Sequence, residues 1–364
     1  MNILILTNSD EGLYQFRKEL IDALLARHKV SLSMPCEAYA QRFAEKGCAL
    51  IHTPIDRRGI RPLKDLSLFF RYLKLIRSVQ PDIILSYTIK PNIYGGLASR
   101  LYRKAFFANI TGLGSAFQVN SLLKRMVCFL YRAALKKAKA VFFENDANQN
   151  VFLQSGIIKS AQAVLLPGAG VNLSHFVPLP YPEHSDTTSF LFIGRIMREK
   201  GMEELLEACK RLYDEGFQIR LELLGTYEED YRTLVSVYEK QGWLHFAGYQ
   251  DDILSYIQKT HCFVLPSWHE GMANTNLECA ACARPLITSN IPGCKEAVIE
   301  RKSGLLCEAK NTDSLYAAMR AFLSMPPAER TAMGLAGRAH MEQVFDKQAV
   351  VEKTLAQMLD RSVK

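Results

Sequence analysis

Glu270 and Glu278 stand with seven residues between them, Gly271, Met272, Ala273, Asn274, Thr275, Asn276 and Leu277, and that spacing defines the first chemical question. The apolar stretch Cys262 to Leu265 reads as a strand stopped by Pro266, Asn274 or Thr275 as an N-cap, and Leu277 to Ala283 as a helix. N–H groups at a helix N-terminus, with the dipole behind them, hold an anionic phosphate. A carboxylate accepts hydrogen bonds well from vicinal hydroxyls. One glutamate on a ribose, the other on a hexose and a diphosphate on the amides between them would suit a nucleotide sugar. The same spacing also fits a solvated loop and helix surface, so the rest of the chain has to decide.

The second set of residues is cationic. Phe190 to Ile193 reads as a strand, followed by Gly194-Arg195 and, five residues on and ahead of a helix, Lys200. A guanidinium forks onto two phosphate oxygens and an ammonium adds a point charge, which is what a departing nucleoside diphosphate requires. Two further strands end at Gly225 and at Gly248-Tyr249, the latter placed loosely near a base.

Glu270-Gly271 after an apolar strand and Pro-Ser, with Glu278 beyond, resembles the E-x7-E signature of retaining glycosyltransferase family 4. The strand, Gly-Arg and later Lys match that family as well. The resemblance runs over nearly the whole chain and is most specific in residues 190–300. It implies an α/β protein of the GT-B fold, two Rossmann-like domains facing a central cleft, with the last helix crossing back to the first domain. It also implies a donor site made by Gly12, Gly194, Arg195, Lys200, Gly225, Tyr249 and the run Glu270 to Glu278, with Glu270, Arg195 and Lys200 as its catalytic members. No D-x-D occurs, so neither a metal nor a cofactor is expected beside the UDP-sugar donor.

The first half alternates apolar runs with helical patterns, the signature of βαβ units. Its first strand is followed by a single glycine, Gly12, which suits either close approach to a diphosphate or a plain turn. Lys90 and Asn92 follow a strand, at the edge where open α/β sheets bind ligands. Thr111 and Gly112 open the loop Thr111-Gly112-Leu113-Gly114-Ser115. These four residues, Lys90, Asn92, Thr111 and Gly112, are the acceptor candidates. Many family 4 members carry a histidine on the second loop and this chain has none. The pair of loops looks more like the branch that extends undecaprenyl-diphosphate-linked sugars in bacterial glycan assembly. An epimerase of the same fold, or a non-catalytic subunit that binds nucleotide sugars, are the alternatives.

Expected boundaries are 1–168 for the acceptor domain, 169–189 for a Gly/Pro-rich linker, 190–345 for the donor domain and 346–364 for the returning helix. Charge is divided unevenly: residues 1–170 hold 24 Lys/Arg against 11 Asp/Glu, whereas residues 171–364 hold 21 against 26. Two stretches in the basic half, Arg57 to Arg77 and Leu122 to Lys139, place Phe and Leu at helical spacing among cations. Such helices can lie on an anionic membrane surface, or pack on a sheet with their cations solvated. Nucleic acid is not an expected partner. The opening residues read as a strand rather than a signal peptide, so the expectation is a cytoplasmic protein, peripheral on the inner face of the membrane. The nine cysteines lie in apolar contexts, and Cys279-x-x-Cys282 has no completing pair, so reduced buried thiols are expected.

Overall fold

Short β-branched and aromatic runs separated by amphipathic segments give two all-parallel sheets, each with helices on its faces. The computed structural model describes residues 1–56, 61–114, 117, 122–182 and 186–362. Arg57, Arg58 and Ser115, which belonged to the basic stretch and the Gly-x-Gly loop, lie outside the described residues. The chain divides into one unit of Met1–Ala169 with Gln348–Lys364, and a second of Gly170–Lys347.

The first unit contains β1 (Asn2–Leu6), β2 (Lys29–Met34), β3 (Ala49–His52), β4 (Ile83–Tyr87), β5 (Ala105–Ile110), β6 (Ala140–Phe143) and β7 (Ala163–Leu165), in the order β3-β2-β1-β4-β5-β6-β7. One face is covered by α1 (Asp10–Leu25), α2 (Ala40–Glu45) and the closing helix, for which Val350, Val351 and Met358 join a core with Leu13, Leu20 and Leu24. The other face carries α3 (Pro62–Val79), α4 (Gly96–Leu101) and α5 (Leu122–Leu135), and α6 (Asp146–Gln154) supplies Phe152 to the same core. A π-helical turn, Pro91–Gly95, leads directly into α4.

In the second unit β8 (Thr188–Ile193), β9 (Ile219–Leu224), β10 (Leu244–Gly248), β11 (Cys262–Leu265), β12 (Leu286–Ser289) and β13 (Gly304–Cys307) run in the order β10-β9-β8-β11-β12-β13. The helices are α7 (Met202–Asp214), α8 (Arg232–Lys240), α9 (Leu254–Gln258), α10 (Asn274–Ala281), α11 (Thr312–Leu323) and α12 (Pro327–Val344), and α13 (Lys347–Ser362) is the closing helix. Strand order reverses between β8 and β11. The crevice beyond the carboxyl ends of such a pair is where open α/β sheets take ligands.

Within the segment expected as a linker, buried Arg284 donates to the carbonyls of Leu179 at 3.1 Å and Pro180 at 2.7 Å, tying these two residues to the body of the second unit. A guanidinium with several donors can hold an irregular backbone that has no ladder of its own. Lys295–Ala297 forms a single 3-10 turn.

Candidate functional site

The loops after β8 and β11 lock onto each other. Gly201, at φ 74°, ends the turn Arg198–Lys200, and a Cβ there would stand 2.1 Å from the Pro266 carbonyl oxygen. Trp268 N–H donates to the Glu199 carbonyl at 2.9 Å. Only a glycine permits this approach, and the result is that Lys200 and Glu270 meet: the ammonium pairs with Glu270 Oε1, both side chains being mostly buried. Ser267, fully buried, donates to the same oxygen at 2.8 Å. From the other side Gly293, at φ 89°, packs against the carbonyls of Glu270 and Gly271, and its own carbonyl accepts the Ala273 N–H at 2.8 Å.

The helix behind this loop starts one residue earlier than its composition suggested. Ala273 is the N-cap of α10 and no side chain caps it, so neither Asn274 nor Thr275 plays that part. Asn274 Oδ1 and Asn276 Oδ1 are buried with no hydrogen-bond partner among the described residues. Buried polar atoms are nearly always satisfied, and orphans at a helix N-terminus mark where water or a ligand belongs. Met272, Ala273 and Leu277 turn their side chains into the apolar core, which leaves backbone amides as their means of meeting a ligand. Asn276 is also structural on one side: its Nδ2 donates to Thr288 Oγ1 at 3.0 Å, and Thr288 donates to the Leu265 carbonyl at 2.8 Å, tying α10 to β12 and β11. Glu278 lies half-buried, about one turn inside α10.

Around this centre, Gly194 follows the last residue of β8 and Arg195 comes next, exposed, with Nη1 3.8 Å from Glu228 Oε1. Gly225 gives its N–H to the Gly248 carbonyl at 2.8 Å, so that amide is spent on the fold. Tyr249 follows β10 with its ring exposed and its hydroxyl 3.4 Å from Asp251 Oδ1. Cys294 is fully buried, and burial, with the charge of Glu270 adding to it, pushes its thiol well up.

The first-unit candidates fare differently. Gly12 is in the first turn of α1 and donates its N–H to the N-cap Ser9 Oγ at 3.1 Å, so it neither makes a turn nor offers that amide to a diphosphate. Asn92 is 1 % exposed, accepts from Ser86 Oγ at 2.6 Å and donates to the Asn109 carbonyl at 2.8 Å, so it braces β4 against β5. Lys90 is paired with Asp65 at 2.8 Å. Thr111 and Gly112 directly follow β5. Sequence reasoning missed three residues here and one above: Arg17, whose guanidinium pairs with buried Glu144 and lies 5.3 Å over the Tyr87 ring; Glu144 itself; Asp65; and Ser267. A signal existed for Arg17 and Asp65, since each is a charge at helical spacing on the buried stripe of its helix, Arg17 with Asp10 among Leu13, Leu20 and Leu24, and Asp65 alone among Leu68, Tyr72 and Leu75.

Residues 2–145 match the family model for glycosyl transferase 4-like domains, and residues 180–340 match that for glycosyl transferases group 1. The chain is 27% identical over its full length, and that of the relative, to an N,N'-diacetylbacillosaminyl-diphospho-undecaprenol alpha-1,3-N-acetylgalactosaminyltransferase of Campylobacter jejuni. It is 25% identical, over 72% of its length and 71% of the relative's, to a UDP-Gal:alpha-D-GlcNAc-diphosphoundecaprenol alpha-1,3-galactosyltransferase of Escherichia coli. In fold it is similar to the Anabaena HepE protein crystallised with UDP and glucose, with a TM-score of 0.81 over 99% of each chain at 17% identity. With a 4-like domain in its first unit and a group 1 domain in its second, this chain belongs to the family 4 glycosyltransferases of the GT-B fold.

Proposed function

We propose that the chain moves a hexose, either an N-acetylhexosamine or a galacto-configured sugar, from a UDP-sugar to an undecaprenyl-diphosphate-linked saccharide in bacterial surface glycan assembly, with retention at the anomeric carbon. The observation that carries this is the meeting of Lys200 and Glu270 beside the uncapped start of α10, at the strand reversal of the second sheet. The two relatives are both named for transfer to diphospho-undecaprenol sugars, which supports the acceptor class.

In this reading Glu278 holds the ribose, Arg195, Lys200 and the first N–H groups of α10 hold the diphosphate, and Glu270 holds sugar hydroxyls. As the bond from C1 to the β-phosphate oxygen breaks, charge grows on the diphosphate, and preorganised cations and N–H dipoles stabilise it in place of a metal or other cofactor. The acceptor oxygen bonds to C1 on the same face and its proton passes to the diphosphate. Glu270 serves as a sugar ligand rather than a nucleophile.

The acceptor carries its own diphosphate on a lipid, and the first unit has the surface for it. Leu63, Leu66 and Phe70 of α3 and Leu122, Met126 and Phe129 of α5 are exposed, and both helices belong to one face of the sheet. Lys74, Arg77 and Arg125 are exposed beside them. An apolar stripe with flanking cations suits the headgroup region of an anionic bilayer. Among the described residues no helix is long and apolar enough to cross a membrane. A peripheral position on the inner face of the cytoplasmic membrane fits both facts.

The test is incubation with UDP-N-acetylgalactosamine, UDP-galactose or UDP-N-acetylglucosamine and a polyprenyl-diphosphate saccharide. The expected outcome is an α-linked product from the α-configured donor, seen by NMR. A β-linked product would overturn retention, conversion of donor without acceptor would favour an epimerase, and binding without turnover would favour a non-catalytic subunit.

A further inference from the structure

We propose that Ser267, Glu270 and Lys200 together let this site distinguish a loaded nucleotide sugar from the spent nucleotide, with Ser267 as the positioning residue. The inference rests on the donor reading above and adds to it a rule for affinity.

Glu270 Oε1 accepts from both Lys200 Nζ and Ser267 Oγ, and among the described residues no donor reaches Oε2. The carboxylate is therefore fixed through one oxygen and offers the other. Its anchors are set by the fold: Ser267 is fully buried, and the close approach of Gly201 to Pro266 brings the lysine loop to it.

Lys200 is thus already neutralised when a ligand arrives. An ammonium has three donors, so a diphosphate can share it, but that places a second anion next to the Glu270 carboxylate. Like charges around a mostly buried cation repel. A sugar on the diphosphate offsets this repulsion, because its hydroxyls donate to Oε2. Free UDP has no such group. After transfer the carboxylate regains its full hold on Lys200, and the nucleotide is loosened. Glu270 thereby favours the substrate over the product at the same phosphate subsite.

Calorimetric titration of UDP and of whichever UDP-sugar supports transfer, on wild type, Glu270→Gln and Ser267→Ala, tests this. Glu270→Gln keeps the shape and removes the charge, so it should bind UDP roughly three- to tenfold tighter while binding the UDP-sugar more weakly. Unchanged or weaker UDP binding overturns the proposal. Ser267→Ala leaves the charge but frees the carboxylate, so it should raise the Kd for the UDP-sugar by roughly fivefold with UDP affinity unaltered. Equal loss for both ligands, or no change for either, removes Ser267 as a positioning residue. If Glu270→Gln does not fold, that split in Ser267→Ala decides. Wild type binding neither ligand would instead sink the donor-site reading on which the proposal stands.

Discussion

Lys90 Nζ lies 2.8 Å from Asp65 Oδ1, and both side chains are largely withdrawn from solvent. The pair joins the start of the π-helical turn to α3, so Lys90 has a structural task whatever it does for an acceptor. Breaking a mostly buried ion pair strands the surviving charge, at a cost of about 3 kcal/mol. Lys90→Ala and Asp65→Asn should each lower the melting temperature by several degrees, and the double variant should lose less than their sum. An unshifted melting temperature in Lys90→Ala, with only the acceptor KM raised, would make Lys90 a ligand group and not a brace.

Arg195 is the opposite case. It is exposed and its nearest carboxylate stands 3.8 Å away, so its removal should leave stability within about 0.5 kcal/mol. A cation aimed at the charge that develops in a transition state is worth about a hundredfold or more in turnover. Arg195→Ala should therefore reduce kcat by about that factor with an unchanged melting curve. Normal turnover would take Arg195 out of the donor site.

These two residues also show what a linear reading can and cannot reach. The fold was legible because strand runs, loop glycines and helix stripes act over a few residues, and so was the arrival of Arg195, Lys200 and the Glu270 loop at strand ends. What pairs with what was not. Lys90 looked like an acceptor ligand because Asp65, twenty-five residues away, is invisible to local spacing, and Asn92 looked like another because its partners, Ser86 and Asn109, lie on β4 and β5. Gly12 was taken for a loop residue, and the capping hydroxyl of Ser9 had already drawn it into a helix. The start of α10 was misread because a polar residue usually caps a helix, and here the usual cap is left out.

The exposed faces of α3 and α5 yield a membrane prediction. Transfer of a phenylalanine side chain from water to an apolar environment is worth about 2 kcal/mol, and each nearby cation about 1 kcal/mol on an anionic surface. The chain should float with phosphatidylglycerol vesicles and not with phosphatidylcholine alone, less so in high salt. Phe70→Ser with Phe129→Ser should cut vesicle binding at least tenfold without changing stability, since both rings are already solvent-exposed. Equal binding to neutral vesicles, or no loss in the double variant, would leave the two helices as ordinary sheet cover.

Burial pushes the Cys48 thiol up to about 11 and the Cys282 and Cys307 thiols up to about 12, from an ordinary 9.0. Nearby carboxylates add to the effect, Asp22 at Cys48, Glu278 at Cys282, and Glu204 and Glu300 at Cys307. In each case the folded chain holds its proton more tightly than the unfolded chain does. The sign of the linkage follows: their contribution is complete below pH 9 and is lost as pH rises through the folded values of about 11 to 12. Melting temperature under reducing conditions should accordingly be flat with respect to these groups up to pH 9 and fall above it, and Cys282→Ala should fall less steeply. The same protonated, enclosed thiols should react with a thiol reagent at pH 8 far more slowly in the native chain than in urea. Rapid native labelling of Cys282, or identical alkaline slopes for wild type and Cys282→Ala, would show that this thiol is not held as the structure places it.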